Sequence, residues 1–225
     1  MEIRELTVAG IAFRVVLSVL LGGAVGIERG LKNRPAGLRT YMLVCMGSCL
    51  VMMTNQYVNQ VYGTGDPVRM GAQVVSGIGF LGAGTIVVTK RHQIKGLTTA
   101  AGLWASAAAG LAIGIGFYEA AFIGGGAIFL VLTAMQSWDN RMHRNSKMID
   151  IYVELDQSVN LGTFMQQIRD EVGLEINNLQ MDHDGSFDGE NRSFIMTLKS
   201  PRKRNHEELF LMIRKIPGVA YLEEL

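Results

Sequence analysis

The stretch DPVRMGAQVVSGIGFLGAGTIVVTKRHQIKGLTTAAGLW, Asp66 to Trp104, decides how the chain is read. It opens on an acid, a proline and an arginine, and then runs from Met70 to Thr89 without a charge. Twenty uncharged residues at ~1.5 Å rise each match the ~30 Å hydrocarbon core of a bilayer. An amphipathic soluble helix would carry a polar face at i, i+3, i+4 spacing, and none is present. A basic run, Lys90 to Lys95, follows, and a second uncharged stretch begins at Gly96. The stretch therefore reads as a membrane hairpin.

Working outward, five apolar segments emerge: 10–27, 38–55, 70–89, 97–115 and 117–136, the last two divided by a tight turn around Gly114 and Gly116. Four spans plus one re-entrant piece is the alternative. Lys and Arg are retained on the cytoplasmic side of a membrane. Arg29, Lys32, Arg34 and Arg39 lie in the first loop, Lys90, Arg91 and Lys95 in the third, and Arg141, Arg144 and Lys147 after the fifth segment. The stretch 56–67 of the second connection and the turn 114–119 carry no base. Five spans put all three basic loops on one side, with the N-terminus periplasmic and the C-terminus cytoplasmic. Tyr57, Tyr62 and Tyr118 at the outer level and Trp138 at the inner level suit an aromatic belt.

Charge divides the chain in the same place. Residues 1–147 hold 13 Lys+Arg against 6 Asp+Glu, net +7, and residues 148–225 hold 8 against 14, net −6. The expected organisation is a transmembrane domain over 1–140, a linker over 141–147 and a cytoplasmic domain over 148–225, whose acidity invites docking on the basic face. A secretory signal peptide is not expected, since Glu2 and Glu5 precede the first apolar run. In the second part, alternation of Ile149, Ile151, Val153 and Leu155 gives a half-buried strand. A helix over 159–172 follows, with Leu161, Phe164, Met165, Ile168 and Val172 inward. Strands over 174–182 and 192–200 flank an Asp- and Gly-rich turn. A helix over 202–216 turns Leu209, Met212, Ile213 and Ile216 inward, and a strand over 219–223 closes the order βαββαβ, the ferredoxin-like plan. The fold class is thus an α-helical membrane bundle of about five helices plus an α+β ferredoxin-like domain.

The motifs of the membrane part resemble the MgtC/SapB family of bacterial inner-membrane proteins. DPVRMGAQVVSGIGFLGAGTI and IKGLTTAAGLWASAAAGLAIGIG carry the likeness, extended by LLGGAVGIERG and RPAGLRT, over residues 17–116. The C-terminal domain is similar to the ACT-like domain of many such relatives, which implies edge-to-edge homo-oligomerisation and binding of small ligands at the junction. The resemblance also implies adaptation to low magnesium, survival inside host cells (a virulence role), and interaction with the membrane sector of the F-type ATP synthase.

Ionisable groups inside a membrane are functional candidates. Arg14 is expected to snorkel towards the outer face, with pairing inside the bundle as the alternative. Glu28, beside Arg29, suits an interfacial salt bridge with Arg39, Lys90 or Lys95, or a buried link between the basic loops. Asp66, Pro67 and Arg69 form a helix-start signature, with Asp66 as the cap. Gln73, one turn on from Arg69, is expected to face the bundle. Two similar tetrapeptides, Gly37-Leu38-Arg39-Thr40 and Gly96-Leu97-Thr98-Thr99, start the second and fourth spans. With Arg34, Arg39, Arg91 and Lys95 nearby they suggest an anion site at two helix N-termini, against simple positive-inside anchoring. Leu21-Gly22 and Leu81-Gly82 extend the correspondence at offsets of 60 and 59 residues. This gives either a parallel hairpin repeat or chance likeness between Gly-rich helices.

Gly22, Gly26, Gly77, Gly79, Gly82 and Gly84 are expected to let helices approach closely, with an unwound third span as the alternative. Met42, Cys45, Met46, Cys49, Met52 and Met53 form a sulfur stripe. Core packing is its expected role, with a Cu(I) site as the alternative. Cys45 and Cys49 give no disulfide framework. His92, His143, His183 and His206 lie outside the spans and show no zinc spacing. Asp184, Asp188 and Glu190 are expected to be solvated. Among span residues and their edges, Glu28, Asp66 and Glu119 lie on opposite sides, which does not make the carboxylate cluster a magnesium channel would want. No nucleophile elbow or phosphate loop is present. The expectation is a non-enzymatic regulatory membrane protein with no metal, no cofactor and no nucleic-acid partner. A transporter or channel for Mg2+ or another small solute, regulated by the ACT-like domain, is the alternative.

Overall fold

Thr7 starts the bundle: its hydroxyl accepts the Gly10 N–H at 3.1 Å, supplying the donor-satisfying cap that a helix start needs. Helix α1 then runs Val8–Leu31, α2 Leu38–Tyr62 and α3 Arg69–Thr85. A short hairpin, β1 (Val87–Val88) with β2 (Ile94–Lys95), precedes α4 (Leu97–Gly114) and α5 (Tyr118–Leu130), which continues through a wider π turn to Met135. The structure is a computed structural model and describes residues 5–63, 66–89, 93–135, 138, 146–182, 192–201 and 206–225. Lys90, Arg91, His92, Arg141, His143, Arg144, His183, Asp184, Asp188 and Glu190, and most of the expected linker, lie outside these residues.

Among the described residues, three helices are long and apolar enough to cross a membrane: Val8–Leu31, Leu97–Gly114 and the continuous Tyr118–Met135. The other two expected spans differ from them for visible reasons. α2 runs past Asn55 to Tyr62, and the expected span itself carries Arg39, Thr40, Thr54 and Asn55, which lower its apolar character. α3 is 17 residues long and stops at Thr85, where Ile86, Val87 and Val88 turn extended instead of continuing the helix to Thr89. Such β-branched side chains lose χ1 freedom in helices and suit strands.

α4 and α2 form the middle of the bundle, with α1 against α2, α3 against α4 and α5 against α4. The tight α4–α5 turn is made by Gly116, whose φ of 82° and N–H bonded to the Ile113 carbonyl close the reversal. Gly96 is more constrained: φ is 100°, and a Cβ there would overlap the Thr85 carbonyl oxygen. Only glycine fits the entry to α4.

The chain separates into two compact units, one of Met1–Val87 with Ile94–Gln136, the other of Val88–Gln93 with Ser137–Leu225. In the second, β3 (Met148–Leu155), α6 (Leu161–Gln167, continuing as a π turn to Val172), β4 (Glu175–Asp182), β5 (Arg192–Lys199), α7 (His206–Arg214) and β6 (Val219–Glu224) follow in order. The four strands make one sheet ordered β4-β5-β3-β6, and each neighbouring pair is antiparallel. Ile149, Ile151, Val153 and Leu155 of β3 share a core with Phe164, Ile168, Val172, Phe194, Met196, Leu198, Leu209 and Ile213.

Two details depart from expectation. Tyr152 and Glu154, on the other side of β3, are buried too, with the tyrosine hydroxyl donating to Glu154 at 3.0 Å, so β3 is more than half-buried. Met212 is exposed, because Leu209, Ile213 and Ile216 complete the inward stripe and Met212 sits at its margin. His206, at the start of α7, is buried with Nδ1 2.7 Å from the Glu224 carboxylate and Nε2 3.0 Å from the Ser146 carbonyl.

Candidate functional site in the helix bundle

Two arginines organise the polar interior of the bundle. Arg14, in the second turn of α1, is 0 % exposed. Its Nε donates to the Tyr118 hydroxyl at 3.1 Å, and its Nη1 donates to Gln56 Oε1 at 2.9 Å and to the Gly114 carbonyl at 2.7 Å. One side chain thereby ties α1, α2 and the α4–α5 turn. The expected snorkelling is corrected: the four-residue steps of α1 place Arg14 on the inward face with Gly10, Ser18 and Gly22. Tyr118 belongs to this node, with its ring edge-on to Phe13 at 5.6 Å, while Tyr57 and Tyr62 are exposed as belt residues would be.

Arg29 lies at the other end of α1 and is 2 % exposed. Its Nη2 donates to the Thr99 hydroxyl at 2.8 Å, and Thr99 is itself buried in the first turn of α4. Tyr41 of α2, fully buried, donates to the Thr99 carbonyl at 3.4 Å. The sequence suggested an anion between two helix starts. Instead a guanidinium from the same chain occupies the Thr99 side of that mouth, because Arg29 lies in the last turn of α1, within reach of the start of α4. The remaining members of the expected cluster do not converge: Arg34, Arg39, Lys95 and Thr98 are exposed, and Thr40 is half-buried. Glu28 forms its ion pair with Lys32, one turn along the same helix, rather than with Arg39 or Lys95. An i, i+4 pair is the nearest geometry available to it.

At the start of α3, Asp66 Oδ1 accepts the Val68 N–H at 3.0 Å. Val68 holds the cap position, so Asp66 stabilises the turn before the helix rather than capping it. The buried Asn55 donates to the Pro67 carbonyl and fixes this turn to α2. Arg69 is exposed. Gln73 is exposed as well, a correction to its expected inward aim: Gly71, Ile78 and Gly82 define the buried side of α3, and Gln73 is turned away from it.

The glycines separate into two groups. A methyl at Gly22 would stand 2.6 Å from the Tyr41 carbonyl oxygen, and one at Gly26 2.7 Å from Leu38 Cα, so α1 and α2 touch backbone to backbone. Gly82 lies against Ala100, where a Cβ would stand at 3.4 Å. Gly77, Gly79 and Gly84 would meet nothing within 4 Å, so among the described residues they pack against no other helix. α3 is continuous through them. The sequence reading missed the α2–α4 contact, where Gly102 meets the Tyr41 hydroxyl, Gly110 the Cys45 carbonyl and Gly114 the Cys49 carbonyl. With Ser106 these glycines recur every four residues, the spacing by which small residues bring membrane helices together. That spacing could have revealed them. Cys45 and Cys49 are buried free thiols in a cluster with Met53, Ile113 and Ala121.

Between α2 and α3 runs a groove of about 530 Å³. Arg39, Thr40, Leu43, Val44, Gly47 and Ser48 line it from α2, and Val74, Gly77, Ile78 and Leu81 from α3. Among the described residues there is no group of three or more His, Cys, Asp or Glu that could hold a metal ion.

This arrangement sits within a recognisable sequence lineage. Residues 15–141, more than half the chain, match the MgtC family. The chain belongs to the MgtC family. It is 36 % identical to Escherichia coli (strain K12) YhiD over 166 residues, covering 72 % of this chain and 77 % of YhiD. YhiD is named as a suspected magnesium transporter. Bacillus subtilis SapB is 41 % identical over 119 residues, half of each chain. Brucella abortus (strain 2308) MgtC is 45 % identical over 104 residues, covering 46 % of this chain and 42 % of the relative. No solved structure matches. Apolar helices and family together make this MgtC-family chain an integral membrane protein.

Proposed function

We propose that this MgtC-family protein is a non-enzymatic regulator of the bacterial inner membrane that acts by helix-to-helix contact with another membrane protein. The observation that carries the reading is the outer side of α3. Ala72, Ser76, Gly79 and Ala83 are all exposed. At ~100° per residue they fall within one narrow stripe, and Gly79 has nothing within 4 Å. Small residues at i, i+4 are how membrane helices approach one another, and among the described residues no other helix covers this stripe. Phe80, 83 % exposed, stands beside it. The resemblance of the motifs supplies the partner and the setting: the membrane sector of the F-type ATP synthase, in adaptation to low magnesium and survival inside host cells. The reading includes five spans, a periplasmic N-terminus, and a cytoplasmic C-terminal domain of ferredoxin-like, ACT-like type that pairs with a second copy. The strand order β4-β5-β3-β6 supports that fold type.

The test is capture from native membranes with the full chain. Wild type should retain a membrane subunit of the ATP synthase, and Gly79→Phe should retain at least about tenfold less at an unchanged melting temperature. Equal capture by the two would end the reading.

Transport is the second reading, favoured by the name that YhiD carries. Arg14 and Arg29 bring positive charge into the buried centre, which opposes a Mg2+ path beside them. Mg2+ flux into liposomes containing only this protein would favour transport over regulation.

A further inference from the structure

We infer that the groove between α2 and α3 is a binding site for one anionic phospholipid, its acyl chain along the helices and its phosphate at Arg39. Two lines of geometry lead there. Along α2 the lining runs from Arg39 to Ser48, nine steps of ~1.5 Å, or about 14 Å. That is close to half of the ~30 Å hydrocarbon core, the depth of a single leaflet. A groove of that reach suits one acyl chain lying along the helices.

The second line is chemical. The groove is apolar along Leu43, Val44, Ile78 and Leu81 and polar at the end where α2 begins. There Arg39 is exposed and makes no hydrogen bond or ion pair among the described residues, with the Thr40 hydroxyl next to it. A guanidinium in a fixed fork is suited to phosphate oxygens. Gly47 and Gly77 face the groove from its two walls and have nothing within 4 Å. Their missing side chains make the room that a chain needs. Gly77 lies about 200° around α3 from Gly79, so this site and the small-residue stripe are on opposite sides of one helix.

The experiment uses the full chain in detergent micelles containing equal amounts of phosphatidylglycerol and phosphatidylcholine with identical acyl chains, and counts retained lipid by native mass spectrometry. Wild type should keep one phosphatidylglycerol per chain with about fivefold preference, the effect of one arginine on an anionic headgroup. Arg39→Gln should keep lipid but lose the preference. Gly77→Phe should lose both lipids at an unchanged lipid-free melting temperature, and Gly79→Phe should bind as wild type does. Equal retention of the two headgroups by wild type, an intact preference in Arg39→Gln, or full retention in Gly77→Phe would each overturn the proposal. So would a membrane protein displaced by Gly77→Phe with lipid counts unaltered, which would give the groove to a helix.

Discussion

Thr99 and His206 show how much one side chain can decide. Thr99 is the partner of a guanidinium taken out of water, and removing its hydroxyl leaves a buried charge short of an acceptor. Thr99→Val is expected to cost roughly 1.5–3 kcal/mol, the usual range for a hydrogen bond to a charged group. It would be read as a lower melting temperature of the purified protein. His206 touches two acceptors, a carboxylate and a carbonyl, so both ring nitrogens must donate, and that is the imidazolium. Burial works against the charge, but the Ser146 carbonyl and Glu224 outweigh it, and the pKa is raised above its ordinary value of 6.5. A raised folded-state pKa gives stability that is fully present below the unfolded pKa and is lost as pH rises through the folded one. Hydrogen exchange in α7 and β6 should therefore quicken as pH is raised from about 6, after correction for intrinsic rates, and His206→Asn should flatten that dependence. Neither role was legible in the sequence. Thr99 and Arg29 are 70 positions apart, and His206 lies in polar surroundings with no spacing that joins it to Ser146 or Glu224.

Among the elements, the contrast lies between α3 and α4. Glycine is dense in α3, which drew the packing expectation to Gly77, Gly79 and Gly84, yet density says nothing about direction. In α4 the recurrence of Gly102, Ser106, Gly110 and Gly114 every fourth residue puts all four on one line, and that line is pressed onto α2. Gly110→Leu should therefore destabilise the bundle by roughly 1–3 kcal/mol or more, the cost of overpacking. Gly84→Leu, with open space around it, should leave the melting temperature nearly unchanged. Gly96→Ala is expected to be worse than its single methyl suggests, because it combines a φ of 100° with an overlap on Thr85. The strands of the C-terminal unit were easier to read, since alternation at period two survives in Ile149, Ile151, Val153 and Leu155 whatever packs against them.

For the whole molecule, a periplasmic N-terminus and five spans require a cytoplasmic C-terminus. A reporter fused after Leu225 should be active only in the cytoplasm, and periplasmic activity would require an even number of crossings between the proposed N-terminal side and the tail. The hairpin likeness seen in sequence has a counterpart in contacts: Gly22 meets Tyr41 in the first hairpin, and Gly82 meets Ala100, at offsets of 60 and 59, in the second. The two meetings are not equally tight. In the first, a methyl would stand 2.6 Å from a backbone oxygen; in the second, 3.4 Å from a methyl group. The first hairpin is thus the more closely packed of the two at this contact, and Gly22→Ala should cost the fold more than Gly82→Ala.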